Sequence, residues 1–324
     1  MHVLDGRHFF LETWFSEGPR VNHYSLIPEY ILIQFSSADF QVLMVMIEAH
    51  NLTKFFGSLG VVKSISFAVG TGEVFGLLGP NGAGKTTTIR MLTTLLEPTS
   101  GFATVAGYDV FVDPLQVKRS IGVVPQTLNL DIDLTCVENL EYHGRLHRMK
   151  PSDRKMQIEK LLLFVGLWEK KDTPVEHLSG GMRRRLLIAR GLLHRPLVIF
   201  MDEPTVGLDP QARRTIWGLI ASLKRKGITI LLTTHYIEEA DMLCDRVAIM
   251  RVGEIIAMDA PAALKAGVGR YALECLGSLD TPRRFFQTRE DAIEAGRDKC
   301  ADIMVRDVTL EDVFISLTGE RIEG

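Results

Sequence analysis

No window of this 324-residue chain reaches the ~18–20 uninterrupted apolar residues that a membrane-crossing helix needs. The most apolar N-terminal stretch, Phe40 to Ile47, is far too short. The start carries His2, Asp5, Glu12 and Glu17 instead of a basic segment ahead of an apolar one, so no secretory leader is expected. Charge of one sign is not in excess: 37 Lys and Arg face 40 Asp and Glu, a net −3. That balance gives no electrostatic case for a nucleic-acid partner or a strongly anionic surface. The four cysteines (Cys136, Cys244, Cys275, Cys300) contain no C-x-x-C pair and no zinc spacing, so they read as reduced cytosolic thiols. Internal repeats, low-complexity tracts and heptad runs are also missing. What remains is 46% hydrophobic, ordinary for a globular core and long enough for one large domain with an accessory part.

The informative residues are Gly79-Pro80-Asn81-Gly82-Ala83-Gly84-Lys85-Thr86, which fit the phosphate-loop pattern G-x-x-x-x-G-K-[ST]. Val74 to Leu78 ahead of it reads as a buried parallel strand, and Thr87 to Leu92 reads as the start of a helix. Gly82 and Gly84 let backbone N–H groups curl around an anion, and the helix N-terminus adds roughly half a positive charge. Lys85 supplies a compact charge for β- and γ-phosphates, and Thr86 a hydroxyl for Mg²⁺. A second apolar run, Leu197 to Met201, ends in Asp202-Glu203-Pro204. A strand apolar throughout delivers its acidic end to the C-terminal edge of the sheet, where ligands bind in open α/β folds. Asp202 is expected to hold Mg²⁺ and Glu203 to act as general base on the attacking water.

With Leu178-Ser179-Gly180-Gly181-Met182 and His235 following in order, the chain resembles the ATP-binding subunit of ABC transporters over roughly residues 46–262. The resemblance implies an α/β P-loop NTPase fold with a mixed central sheet, an antiparallel β subdomain and an inserted helical subdomain. It implies ATP as substrate with Mg²⁺, and a dimer in which Ser179, Gly180 and Gly181 of one copy close on the phosphate held by the other. Met182 departs from the commonest residue at its position, Gln. The same resemblance makes Gln126 the sensor of Mg²⁺ and water, Asp209 part of the loop linking the two sites, and His235 a γ-phosphate contact. Thr87 completes the phosphate loop. Phe56 is expected to stack on adenine, with Phe55 the competing choice and the other of the two in the core. The strings Ser179 to Leu186 and Thr309 to Gly319 are similar to daunorubicin-resistance type exporter ATPases, whose permeases are separate chains. With no span of its own, such a subunit would sit at the cytoplasmic face of the membrane through its permease. Competing readings are an importer ATPase, a soluble ABC ATPase in a non-transport process, and a non-hydrolytic regulatory module. The single ATPase module, the lack of an inserted coiled coil and the presence of Glu203 and His235 speak against the last two.

Residues 1–45 show no clear period, and Met46 opens a family-like first strand, so Met46 is the suspected start. If the extension is native, Phe9, Phe10, Trp14 and Phe15 are the residues expected to pack. Thr135-x-x-Glu138 fits a capping box within an expected helical stretch, 127–178. Ile158, Leu161, Leu162 and Val165, and again Ile216, Leu219, Ile220 and Leu223, fall at helical spacing. Val247 to Met250 and Glu254 to Met258 suggest a hairpin at Gly253. Arg183 to Arg185 reads as a solvated or interface face. His143 and His147, four apart on an expected helix, form a candidate metal pair that no acidic cluster supports. Residues 263–324 are expected to form a small C-terminal extension without a catalytic constellation.

Overall fold

A computed structural model describes residues 45–276, 283–297 and 302–319. The expectations for residues 1–44, including the four aromatic residues there, lie outside that range.

Strands β1 (Val45–Phe56) and β2 (Leu59–Gly70) form an antiparallel hairpin. Ile65, Phe67 and Val69 of β2 face inward, as their alternation predicts. Next come β3 (Val74–Leu78) and helix α1 (Lys85–Leu92). Strands β4 (Ser100–Val105) and β5 (Tyr108–Asp109) return to the hairpin, giving the four-stranded antiparallel order β2-β1-β4-β5. Helix α2 (Pro114–Ser120) leads into β6 (Ile121–Val124). A helical segment follows: α3 (Cys136–Leu146), α4 (Pro151–Phe164) and α5 (Gly180–Leu192). Strand β7 (Val198–Asp202), α6 (Pro210–Arg225), β8 (Thr229–Thr234) and α7 (Ile237–Leu243) alternate before the hairpin β9 (Arg246–Arg251) and β10 (Glu254–Asp259). These strands build a six-stranded sheet of order β10-β9-β3-β8-β7-β6, parallel except for the β9–β10 pair.

The central strands are continuous apolar runs because both faces of the sheet are buried. Val74, Leu78, Ile199, Met201, Ile230 and Leu232 join a core with α3 to α6, while Phe75, Leu77, Val198, Phe200 and Leu231 join a second core with α1 and the antiparallel sheet. Each fully buried side chain of this size contributes roughly 1.5–3 kcal/mol. The helical periods are all realised: Ile158, Leu161 and Leu162 of α4, and Ile216, Leu219, Ile220 and Leu223 of α6, are buried. The capping box opens α3, with Thr135 N–H donating to Glu138 (2.8 Å) and Glu138 N–H to Thr135 Oγ1 (3.2 Å). The stretch 127–178 is less helical than expected. Residues 127–134 form an irregular loop of turn-forming Asn and Asp residues. The Asn139 side chain holds it, accepting from Asp131 N–H (3.0 Å) and donating to Asp131 O and Leu134 O.

Helix α8 (Pro261–Val268) spans the expected boundary at residue 262. Beyond it, β11 (Tyr271–Leu276), β12 (Arg284–Phe286), α9 (Arg289–Arg297) and β13 (Asp302–Asp307) form a small unit with strand order β12-β11-β13. Helix α10 (Leu310–Thr318) then inserts Leu310, Val313 and Phe314 into the first core. Cys136 and Cys244 are free and buried. Cys275 is disulfide-bonded, so the expectation of reduced thiols fails there.

Candidate active site

Four adjacent strands end at one edge of the sheet, in the order β3-β8-β7-β6. Their registers place Leu78 beside Thr234, Asp202 beside Thr233, and Val124 beside Met201. The residues that follow these ends are the phosphate-loop candidates, His235, Glu203, and Pro125-Gln126. Parallel strand order alone therefore gathers motifs that lie far apart in the chain.

The loop from Gly79 to Thr86 turns directly into α1. Gly84 caps that helix in the left-handed region (φ 102°), and a Cβ there would come within 2.7 Å of Val61 O. Gly79 has no room for a side chain either, since a Cβ would lie 2.3 Å from Met250 O. The first turn of α1 has no acidic residue, so its N–H groups and the positive end of its dipole are uncompensated by the helix's own side chains. Asn81 and Gly82 are exposed at the lip, and Ala83 N–H is held by Pro80 O (3.2 Å).

Lys85 is buried, its ammonium donating to Gly79 O (2.7 Å) and Pro80 O (3.1 Å) and lying 3.4 Å from Glu203 Oε1. Burial pulls its pKa below the ordinary lysine range, opposed by the Glu203 and Asp202 carboxylates. Asp202 Oδ1 accepts from Thr86 Oγ1 (3.0 Å) and Thr233 Oγ1 (2.6 Å). Glu203 is a buried non-glycine residue in the left-handed region, φ 46°. Such a conformation costs on the order of 1–3 kcal/mol and persists where surroundings impose it. Here the imposing residue is Thr233, whose O and Oγ1 accept from Glu203 N–H at 3.1 and 3.0 Å. Gln126 Nε2 donates to Glu203 Oε2 (3.3 Å). His235 Nδ1 approaches Glu203 Oε1 to 3.2 Å, without the alignment of a hydrogen bond.

Three supporting residues escaped the motif reading. Thr233 bridges both carboxylate residues. Arg184, expected on a solvated or interface face, is buried and donates to Pro125 O (2.7 Å) and Gln126 O (2.9 Å), fixing the backbone of the glutamine loop to α5. Glu239 on α7 is fully buried and accepts from Thr205 Oγ1 (2.8 Å) and Trp217 Nε1 (3.1 Å), bracing the turn after Glu203. Burial pushes the Glu239 carboxyl above the ordinary range. An acidic or basic residue in a helix carries no sequence mark of such burial.

The remaining candidates lie on other elements. Ser179 is the N-cap of α5, accepting from Met182 N–H (3.3 Å), and is exposed together with Gly180. Gly181 lies against α6, where a Cβ would come 2.9 Å from Ala212 Cβ. Among the described residues, no hydrogen bond or ion pair joins Ser179 to Gly181 with the Lys85–Glu203 group. Asp209 caps α6, accepting from Ala212 N–H (2.8 Å). Phe55 and Phe56 are both exposed at the end of β1, so neither is a core residue, and the Lys54 ammonium lies 5.3 Å from the Phe56 ring centre.

Residues 62–206 match the family model described as ABC transporter. The chain is 42% identical over 298 residues to the Nod factor export ATP-binding protein I of Paraburkholderia xenovorans, covering 86% of this chain and 98% of that protein. It is 42% identical to the linearmycin resistance ATP-binding protein LnrL of Bacillus subtilis, over 69% of this chain and 72% of that protein. Among solved structures, it is similar to a dimeric ATP-binding cassette in a post-hydrolysis state bound to ADP and Pi (TM-score 0.60, 27% identity, 66% of this chain and 98% of that one).

Proposed function

The chain belongs to the ATP-binding subunits of ABC transporters, ATP-hydrolysing cassettes that pair as dimers and serve a separate permease, and we propose that it powers export from the cytoplasmic face of a membrane. The export reading rests on relatives named for Nod factor export and linearmycin resistance. We assign the ATPase domain to residues 46–262 and an extension to 263–324.

The observation that carries the mechanism is the gathering of Lys85, Thr86, Asp202, Glu203, Gln126 and His235 at one sheet edge, with Ser179 exposed elsewhere. Lys85 and the backbone of Gly79 to Thr87 would hold the triphosphate. The hydroxyl of Thr86 and the carboxylate of Asp202, 3.0 Å apart and extended by Gln126, make an oxygen-rich set suited to Mg²⁺. When bound, that ion would neutralise phosphate charge. Glu203 takes the proton of the attacking water, while Gln126 Nε2 and His235 orient the carboxylate and the terminal phosphate. Phe56, exposed and flat, offers a face for adenine. The exposed Ser179 cap and the N–H groups behind Gly180 and Gly181 can meet only a phosphate brought by another molecule, and the second copy supplies it. Asp209 links the two sites.

Glu203→Gln keeps the phosphate cradle and removes the base. Turnover should fall by roughly 10²–10⁴-fold while ATP binding persists, and the variant should accumulate as a dimer in MgATP on size-exclusion chromatography. A variant that stays monomeric and turns over at the wild-type rate would falsify the assignment.

A further inference from the structure

Away from the nucleotide site, three histidines meet at the junction of α3 with the end of α5. His143 and His147 are one turn apart on α3, with ring centres 4.7 Å apart. His194, two residues past α5, stacks on His147 at 3.8 Å and lies 6.2 Å from His143. One ring nitrogen from each falls within 4.8 Å of the others.

The orientation of His194 is the decisive detail. Its Nε2 is 2.8 Å from Ile121 O, and a carbonyl only accepts, so Nε2 carries the proton. Nδ1 therefore keeps its lone pair, and it is buried with no hydrogen-bond partner. A ring that donates one nitrogen to a backbone carbonyl and leaves the other bare is the arrangement that metal-ligating histidines use to fix tautomer and direction. The i, i+4 pair on α3 supplies two further imidazoles from one helix face. Burial favours the neutral form of all three rings. The Arg190 guanidinium, which acts on His143, is tied to Asn129 O (2.8 Å).

We propose that His143, His147 and His194 form a site for a divalent transition-metal ion of the Zn²⁺ class, bound through three imidazole nitrogens with a fourth position open. A tetrahedral ion with Zn–N bonds of about 2.0–2.1 Å holds its ligand atoms roughly 3.4 Å apart. The half-exposed rings on α3 must therefore swing inward, and the stacked pair must open, while His194 stays anchored to Ile121. No carboxylate belongs to the set, which favours Zn²⁺, Co²⁺, Ni²⁺ or Cu²⁺ over Mg²⁺ or Ca²⁺. Because Ile121 opens β6, the strand that leads into Pro125-Gln126, a bound ion would staple α3 to the base of the glutamine loop.

The test is Co²⁺ titration of the full-length, tag-free chain without nucleotide, followed by visible absorption. Tetrahedral nitrogen coordination gives an intense d–d band, whereas oxygen coordination at Asp202 and Glu203 gives a weak one. The expected result is one Co²⁺ per chain, displaced by Zn²⁺. The band should vanish in His147→Gln and in His194→Gln and persist in His177→Gln, an exposed control. Zn²⁺ should also raise the wild-type melting temperature, by linkage, and leave that of the two variants unmoved. Absence of the band in the wild type, or its persistence in both variants, overturns the site.

Discussion

Replacing Arg184 tests whether the glutamine loop is held in place by the helix that Ser179 caps. The residue is 3% exposed and gives two charge-assisted hydrogen bonds, at 2.7 and 2.9 Å, to consecutive carbonyls. Bonds of this kind are each worth about 1.5–3 kcal/mol, so the gross loss in Arg184→Met is about 3–6 kcal/mol. Two effects offset it. The Arg184 Nε is buried without a partner, and burial already pulls the guanidinium pKa down, so its desolvation cost disappears with it. Water can also reach the loop that carries Gln126. The net destabilisation is then about 2–3 kcal/mol, a fall of roughly 3–5 °C in melting temperature for a chain of this size. The catalytic effect is the more specific one. Gln126 Nε2 reaches Glu203 only because its backbone is fixed, and a displacement of about 1 Å at a reacting centre can cost ~100-fold. At a temperature where the variant is folded, kcat should fall by about one to two orders of magnitude while ATP affinity, which we assign to Lys85 and its loop, changes little. Arg184→Lys, whose single ammonium cannot span both carbonyls, should fall between. Equal kcat in folded Arg184→Met and wild type would refute the reasoning.

Lys85→Ala should weaken nucleotide binding itself by at least about tenfold, read by fluorescent-nucleotide titration, and an unchanged affinity would mean the loop is not the phosphate site. Ser179→Arg should bind ATP normally as a monomer yet fail to dimerise, and mixing it with Lys85→Ala should restore at most one working site per dimer; no recovered ATPase activity at any ratio counts against trans-completion. Thr233→Val removes a buried hydroxyl that bonds both Asp202 and Glu203, and should cost about 1–3 kcal/mol in urea unfolding as well as lowering kcat; an effect on stability with kcat intact would separate Thr233 from the carboxylates' placement.

The central sheet was legible because burial on both faces removes the alternation that would otherwise blur a short strand. Val74 to Leu78, Leu197 to Met201 and Ile228 to Thr234 are apolar enough to exclude an exposed strand, and Gly79, Asp202-Glu203 and His235 mark where they end. The helical periods of α4 and α6 were legible for the complementary reason: one face is buried and the other is wet. Residues 127–134 were misread as helix because the loop's fixing element, the Asn139 side chain, lies inside the next helix and bonds backward to Asp131 and Leu134. The disulfide at Cys275 could not be foreseen from spacing, which encodes no Cα distance.

The basic triplet shows where motif reading of a site stops. On a helix, consecutive residues point about 100° apart, so Arg183, Arg184 and Arg185 cannot share a face. Each reaches a different loop: Arg183 donates to Val175 O and Glu176 O, Arg184 to Pro125 O and Gln126 O, and Arg185 to Val165 O and Gly166 O. The helix behind the serine thus satisfies carbonyls of three chain segments at once, two leading into Ser179 or α5 and one carrying the glutamine. Under the proposed dimer, any shift of α5 at Ser179 would reach Gln126 through Arg184. Charge density along the sequence could reveal that the arginines were there. Only the strand order, which sets β6 beside β7, could reveal that the middle one ties the helix capped by Ser179 to the backbone of Gln126.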